Sequence, residues 1–375
     1  MAHSYTPGLK VLHETVITKD RILPLKGKVV VEKGQDVQPS DVVAKTDLPG
    51  NVQMVNIANI LNIDPGDVNS VLVVPVGSQV NKDDLIAETK GFFGFFKSSV
   101  KSPTDGTLES VSDVTGQAVF REAPIPVEVD AYMRGKVIDI LPEEGVTIQT
   151  RGAFIQGIFG IGGESQGELL VLVDDRGAEI TPEMIQPDVE GKIIVGGSFI
   201  SLEAYQKAIR LRAAGVVVGG FNYSDLEPIL GYTLGVAITG SESIGTPLVV
   251  TEGYGKIKMG ERTFDLLRQN QGRNASINGA TQIRAGVIRP EIVIPKEDSE
   301  LTGEVKSPET GEGVQVGSLV RIIRAPYFGL LGKIVKLPAE LQQMESETMV
   351  RVAEVEIDGE VYTIPRSNLE MVETN

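Results

Sequence analysis

The sequence contains no cysteine and no tryptophan, and its two histidines, His3 and His13, both lie close to the first residue. The absence of cysteine excludes disulfide bonds, zinc ribbons, iron–sulfur clusters and thiol nucleophiles. The position of the histidines excludes a Ser-His-Asp triad or a histidine general base in the body of the chain. We therefore identify no catalytic residue and no metal site, and we expect no cofactor.

Positive charge is scarce, because 51 acidic residues outnumber 35 basic ones and give the 375-residue chain a formal net charge of −16. A field of this sign repels nucleic acids and anionic membranes on average, although a local basic patch is still able to bind RNA. The chain has no apolar run long enough to span a bilayer and no signal-peptide pattern. We expect a cytoplasmic protein of two or three domains without a transmembrane segment.

A repeat in the first third of the chain predicts short β-strands. The segment Val31–Thr46 recurs 43 positions later as Val74–Thr89, with Gly34 and Gly77 at equivalent places. Glycine accepts the positive φ of a tight turn, and the valines and isoleucines around it bury one face of each strand. The order of these strands resembles the barrel-sandwich hybrid of biotinyl and lipoyl carrier domains, and more closely a segment of ferredoxin/quinone-NADH oxidoreductase subunits. That resemblance implies a β fold over about residues 20–125, whereas redox activity does not carry over because the cluster cysteines are absent.

A short aromatic segment follows the second copy of the repeat. Four of the chain's eleven phenylalanines lie within five residues: Phe92, Phe93, Phe95 and Phe96. One interpretation is a contact surface for a protein partner or a second copy, since buried phenylalanines are strong anchors. The alternatives are a loop tucked under the barrel and insertion into a membrane surface.

From Leu169 onwards strands and helices alternate in the sequence. Apolar runs such as Lys192–Val195 alternate with helical spacing over Ser201–Ala214 and Glu261–Gln269, which predicts a small, largely parallel α/β sheet. Ligands of such sheets bind beyond the carboxyl ends of the strands. The residues that could line a ligand pocket there are Ser198, Asn222, Thr239, Glu242 and Glu252. Simple turn chemistry is the alternative explanation for all five.

The last part of the chain carries its most specific motif. Val320-Arg321-Ile322 reads as a strand, Pro326-Tyr327 as a turn that precedes Gly332, and Asp358-Gly359 joins a hairpin. Over about residues 314–373 the sequence is similar to a KOW module, which is a small SH3-like barrel. In that family the module contacts RNA or another protein.

Local charge and aromatic residues point to a contact surface on this module. Residues 316–338 contain no acidic side chain, and basic residues interleaved with aromatic ones suit stacking on RNA bases. The candidate RNA- or protein-binding residues are Arg321, Arg324, Tyr327, Phe328, Lys333 and Lys336. A purely structural barrel is the third interpretation.

Together these patterns predict a multidomain α+β protein. We place a barrel-sandwich-like β domain at 1–168, a small α/β domain with a mainly parallel sheet at 169–298 and a KOW/SH3-like β-barrel at 299–375. The leading hypothesis is a non-enzymatic scaffold or assembly subunit that forms a homo-oligomer or binds a protein partner. One alternative is an RNA- or ribosome-associated factor, and another is a carboxylate-based enzyme or small-ligand sensor in the α/β domain.

Overall fold

A computed structural model describes residues 9–89, 98–232, 240, 242–282, 288–297, 315–322, 326–327, 330–343 and 349–373. Strands dominate this part of the chain, and its helices are short. The described chain is therefore β-rich α+β, as the sequence predicts, with a large mixed sheet at its centre. None of the described helices has the length and apolar character needed to span a bilayer.

The first third consists of short strands and two small helices. Their bounds are β1 (Leu9–Ile22), β2 (Lys28–Val29), β3 (Asp36–Val37), β4 (Val42–Leu48), β5 (Val52–Asn56), α1 (Ile57–Leu61), α2 (Val68–Val71), β6 (Gln79–Val80), β7 (Leu85–Glu88), β8 (Ser99–Lys101), β9 (Gly106–Val111), β10 (Gln117–Arg121) and β11 (Ile125–Asp130). Strands β5, β10, β9 and β6 form one antiparallel sheet in that order, and β11, β4 and β2 form another. Buried apolar side chains such as Ile86 and Phe120 fill the space beside the first of these sheets.

The two copies of the sequence repeat adopt the same local structure. Gly34 has φ +89° and Gly77 has φ +91°, so both occupy the left-handed region that favours glycine. In each copy an aspartate, Asp41 or Asp84, accepts a hydrogen bond of 2.7 Å from the backbone N–H three residues earlier. The glycine turns predicted from the repeat are confirmed.

The middle of the chain contains the two longest helices of the described residues. Their bounds are β12 (Gly135–Leu141), β13 (Gly145–Gln156), β14 (Phe159–Ile161), β15 (Glu164–Val171), β16 (Glu179–Ile180), β17 (Lys192–Val195), β18 (Phe199–Ile200), α3 (Leu202–Arg210), β19 (Gly215–Phe221), α4 (Glu227–Leu230), β20 (Leu248–Tyr254), α5 (Glu261–Gln269), β21 (Asn274–Asn278) and β22 (Glu291–Pro295). Strands β15, β17, β19 and β20 pair in parallel, as expected, and antiparallel neighbours flank them. Helix α3 begins after Ser201, whose hydroxyl accepts from the Ala204 N–H.

The last part of the chain is an antiparallel arrangement around its own apolar core. Its strands are β23 (Leu319–Ile322), β24 (Leu331–Lys336), β25 (Leu341–Gln343), β26 (Met349–Ile357), β27 (Glu360–Pro365) and β28 (Leu369–Glu373). The predicted hairpin is present, with φ +50° at Asp358 and +88° at Gly359 between β26 and β27. Glycine is required at position 332 because β26 packs closely against it, and a Cβ there would lie 2.4 Å from the Val355 Cγ1.

Two strands connect this C-terminal part to the rest of the molecule. Strand β28 pairs in parallel with the start of β1, where Leu9 lies opposite Val372. Strand β1 continues antiparallel to β13, which in turn pairs with β22. The C-terminal strands thus lie against the edge of the central mixed sheet, and the most polar part of that contact is the site described next.

Candidate functional site

A buried ionic cluster lies where the C-terminal strands meet the central sheet. Arg321 on β23 is only 2% exposed. Its guanidinium donates to Glu252 Oε2 at 2.8 Å, to Glu370 Oε2 at 2.7 Å and to the Thr251 carbonyl at 3.0 Å. Arg289 Nη2 donates to the second oxygen of Glu370 at 2.6 Å. Charges of opposite sign therefore alternate from Arg289 through Glu370 and Arg321 to Glu252.

The carboxylates of this cluster are fully engaged by the protein itself. Glu252 lies within β20, and its Oε1 accepts from the Gly260 N–H at 2.8 Å, immediately before α5. Burying a charge is costly unless a partner charge and hydrogen bonds compensate it, and both oxygens here have such partners. The cluster connects β20, β23 and β28, and its chemistry is that of a structural ion network.

A cavity of about 40 Å³ lies beside the cluster. Thr251, Glu252 and Arg321 form its polar wall, and Leu9, Val11 and Val372 contribute apolar surface. Among the described residues the Nε–H of Arg321 has no acceptor. A cavity of this size with one orphaned donor fits an ordered water better than a substrate.

Two residues that the sequence suggests for separate binding sites lie together in the interior. Arg321 was expected on a surface for RNA or protein, and Glu252 in a separate ligand pocket. Both side chains instead lie in the interior and are paired with each other at 2.8 Å. Neither is available to a partner in this arrangement, because the partner would have to displace a buried ion pair.

Two further residues of the expected ligand pocket are hydrogen-bonded to other parts of the protein. Ser198 follows β17 and is buried, and its hydroxyl donates to the Gly177 carbonyl at 2.7 Å. Asn222 follows β19, and its side-chain amide donates to Asp225 Oδ2 at 3.0 Å. The Asn222 bond agrees with the turn-chemistry explanation, and the Ser198 bond joins two segments that lie 21 positions apart in the chain.

Glu242 lies at the opposite end of the parallel strands from these two residues. Its Oε2 accepts from the Gly162 N–H at 3.0 Å and from the Gly240 N–H at 2.7 Å. Gly162 follows Ile161, which pairs with Leu248 at the beginning of β20. The structure therefore does not bring Glu242 together with Ser198 and Asn222. Thr239 lies outside the described residues.

Two basic residues of the expected RNA surface are exposed but face acidic neighbours. Lys333 and Lys336 both lie on β24, with exposed side chains. Lys333 is opposite Glu356 on β26, and Lys336 Nζ lies 3.3 Å from Glu354 Oε1. The positive charge of this face is therefore largely compensated by the adjacent strand, which weakens its attraction for phosphate groups.

The aromatic part of the same expected surface is only partly described. The ring of Tyr327 is half-buried and packs against Tyr362, with ring centroids 4.7 Å apart. Such packing occupies one face of the ring that base stacking would use. Arg324 and Phe328 lie outside the described residues, so their roles remain predictions.

The expected partner contact formed by Phe92, Phe93, Phe95 and Phe96 also lies outside the described residues. The described chain on either side is anchored, because the Thr89 N–H donates to the Ser98 carbonyl at 3.0 Å beyond strands β7 and β8. The contact remains a prediction.

Sequence analysis did not identify a second buried polar group, which is centred on Tyr132 and Glu291. The Tyr132 hydroxyl donates to Glu291 Oε1 at 3.3 Å, and Lys19 Nζ donates to Glu291 Oε2 at 2.6 Å. Burial, reinforced by the Glu291 charge, raises the pKa of Tyr132 well above its ordinary range, so the phenol stays neutral. These bonds connect β1 with β22. No local sequence signal marks Tyr132, because its partners are remote in the chain.

An unpaired strand edge is the other feature that sequence analysis missed. Strand β5 is the outer strand of its sheet, with Val52 45% exposed and Met54 66% exposed. The available signal was the stretch 48–63, which contains no charged residue in a chain that is 23% charged. Exposed apolar side chains on an open edge are a feature of interaction surfaces.

Comparison with known proteins adds no assignment to this geometry. No family model matches the chain, and no curated protein is significantly similar to it. Within the described ranges, no group of three or more histidine, cysteine, aspartate or glutamate side chains is arranged to hold a metal ion. The resemblances to KOW and barrel-sandwich modules therefore remain predictions.

Proposed function

We propose that this chain is a non-enzymatic, cytoplasmic scaffold or assembly subunit that self-associates or binds a protein partner. The observation that carries the proposal is the buried Arg321 cluster. Its charged groups, expected at two separate binding sites, instead hold the C-terminal strands against the central sheet. Buried ion pairs that join different parts of a chain hold those parts in fixed relative positions. Binding surfaces on such a chain therefore keep a fixed geometry.

Fixed geometry favours binding between proteins. Association loses free energy wherever loops or domains must be ordered, and a preformed surface avoids that loss. The Arg321–Glu252 and Arg289–Glu370 ion pairs and the β1–β28 pairing all act across the contact between the C-terminal strands and the rest of the fold. The open edge of β5 supplies an exposed apolar surface on such a body.

The RNA alternative has less support from the described residues. Arg321 is buried, and Lys333 and Lys336 each face a glutamate across the strand pair. Few free phosphate-binding cations remain on this face, and the whole-chain charge of −16 opposes nucleic acid binding. The ligand-sensor alternative is weakened in the same way by the internal bonds of Ser198 and Glu252.

The native mass of the purified chain tests the proposal directly. Light scattering after size exclusion, with and without nuclease, is expected to give a discrete, nuclease-resistant mass above the 40.2 kDa of one chain. A monomer that co-purifies with nucleic acid and loses it to nuclease would favour the RNA alternative. A monomer that carries no nucleic acid contradicts self-association.

A thermal-shift panel of metabolites and metal ions tests the sensor alternative. A ligand that binds only the folded state at 100 times its Kd stabilises it by about 2.7 kcal/mol, which such a panel detects. We expect a flat panel. A specific stabilisation that Glu242→Gln abolishes would move the assignment to the α/β segment.

A further inference from the structure

Along the outer side of β5, the backbone N–H and C=O groups have no strand partner among the described residues. The Glu122 N–H donates to the Asn51 carbonyl at 2.9 Å, and the register continues with Val52 opposite Arg121. Bonded and non-bonded pairs alternate along an antiparallel ladder. The N–H and C=O groups of Val52 and Met54 therefore point away from β10, and no described strand pairs with β5 on that side.

This edge lacks the protection that other edges of the fold possess. In natural sheets, edge strands carry charges or proline or are very short, and these features prevent pairing with strands of other chains. The outer strand β11 carries Pro126 and Glu128, and the outer strand β6 has two residues. Strand β5, in contrast, is a five-residue strand with the uncharged sequence Val-Gln-Met-Val-Asn.

The lack of charge along this edge favours a second copy of the chain as its partner. Two copies of a chain with net charge −16 repel each other over most of their surfaces. Residues 48–63 contain no charge, and the neighbouring Glu122 carboxylate accepts hydrogen bonds from the Asn51 and Gln53 side chains at 3.0 Å. This stretch therefore places few like charges where two copies approach. Exposed Ile60 in α1 extends the neutral apolar surface beyond the strand.

We propose that β5 pairs with β5 of a second copy to form a symmetric dimer with a continuous antiparallel sheet. Val52 of each copy then lies opposite Met54 of the other, so the outward backbone groups satisfy each other and the exposed side chains pack together. A two-fold axis passes by Gln53. This inference rests on the proposed scaffold function and names its self-association surface.

A charge at the edge tests the interface. Wild-type protein is expected at twice the 40.2 kDa chain mass, and Met54→Glu is expected at the mass of one chain, because the glutamate of each copy would then be buried against Val52 of the other copy without a partner charge. The matched control is Val316→Glu, which adds the same charge at a site 62% exposed on the C-terminal part and leaves the dimer intact. Unchanged circular dichroism in both variants excludes unfolding as the cause.

A single cysteine tests the register, since the native chain has none. In the proposed pairing the two Gln53 residues form a non-hydrogen-bonded pair, whose Cα atoms lie about 4.5 Å apart. That separation permits a disulfide. Gln53→Cys is expected to give a cross-linked dimer under mild oxidation, whereas Val316→Cys at the same concentration gives none.

The outcomes separate this inference from the function on which it rests. An assembly whose mass resists Met54→Glu overturns the β5 interface and leaves the scaffold proposal standing. Failure of Gln53→Cys to cross-link in a wild-type-like dimer overturns the register. A monomeric wild-type chain at the concentrations tested overturns the proposed dimer together with self-association.

Discussion

Arg321 is held in a buried site by two carboxylates, and this placement determines the effect of removing it. The Arg321→Ala substitution leaves Glu252 and Glu370 buried without their shared cation. Such a loss costs about 3–5 kcal/mol of folding free energy. We expect equilibrium denaturation to show a shift of that size, against less than about 0.5 kcal/mol for Lys333→Ala on the exposed surface.

A double substitution distinguishes lost pairing from lost packing at this position. Arg321→Met retains much of the apolar side-chain volume but leaves Glu252 without a partner cation and Glu370 with Arg289 alone. Adding Glu252→Gln to Arg321→Met removes the uncompensated charge, so the double variant is expected to be more stable than Arg321→Met alone. If the double variant were less stable than Arg321→Met, the uncompensated charge of Glu252 would not be the cause of the destabilisation.

Tyr205 provides a pH-dependent prediction at the same scale. Its buried hydroxyl donates to the Thr246 carbonyl at 2.6 Å, and burial, with a smaller contribution from the Glu242 charge, raises its pKa. Above about pH 10 the unfolded chain releases this proton while the folded chain keeps it. Stability linked to Tyr205 is therefore complete below that pH and falls by about 1.4 kcal/mol per pH unit above it.

The Tyr205→Phe variant isolates this contribution. At neutral pH it is expected to lose about 1 kcal/mol, because the Thr246 carbonyl loses its buried donor. Above about pH 10 the difference from wild type narrows, since phenylalanine has no proton to release. Urea denaturation at about pH 8 and about pH 11 measures the two differences, and a gap that stays constant would contradict the assignment.

At the scale of elements, one glycine turn occurs three times. The pattern Val-x-Val-Gly-Ser-x-Val at 74–80 recurs at 314–320, where Gly317 has φ +96°. In all three turns the glycine N–H donates to a carbonyl on another strand at 2.7 Å, with Gly34 bound to Val137, Gly77 to Leu108 and Gly317 to Ile334. The first two turns were predictable because the glycine spacing is local, whereas their strand partners are not readable from the repeat.

Substitution of the repeat glycines tests whether the turns are equivalent. Gly34→Ala and Gly77→Ala are each expected to cost about 1–2 kcal/mol, because L-residues are strained at these φ values and no neighbouring atom lies within 4 Å of the added Cβ. Asparagine at either position costs less, since it tolerates the left-handed region. Gly66→Ala, at an ordinary φ, is the control and stays near wild type in the same chemical denaturation.

The difference between local sequence signals and contacts between remote residues also explains how much of the candidate site was predictable. Parallel pairing of β17 with β19 follows from apolar runs separated by a helical pattern, which are local signals. The association of Arg321 with Glu252 joins residues 69 positions apart, and local charge counting cannot reveal it. A basic segment without acids therefore suggested an RNA surface, although its first arginine is neutralised by acids contributed from other strands.

At the scale of the whole molecule, net charge opposes the assembly that we propose. Two chains of −16 repel each other, and the neutral edge of β5 only removes that repulsion at the point of contact. The remaining charges act across the intervening solvent. Their effect depends on the Debye length, which falls from about 30 Å in 0.01 M salt to about 10 Å in 0.1 M salt.

The salt dependence of self-association therefore has a predictable sign. Raising the salt from about 0.01 M to about 0.1 M is expected to lower the dimer Kd several-fold, because screening removes repulsion between the copies. Binding to RNA would weaken over the same range, since salt competes with phosphate contacts. Sedimentation velocity on a dilution series at each salt concentration measures the Kd. A Kd that rises with salt would show that attractive ion pairs, rather than the neutral β5 edge, hold the copies together.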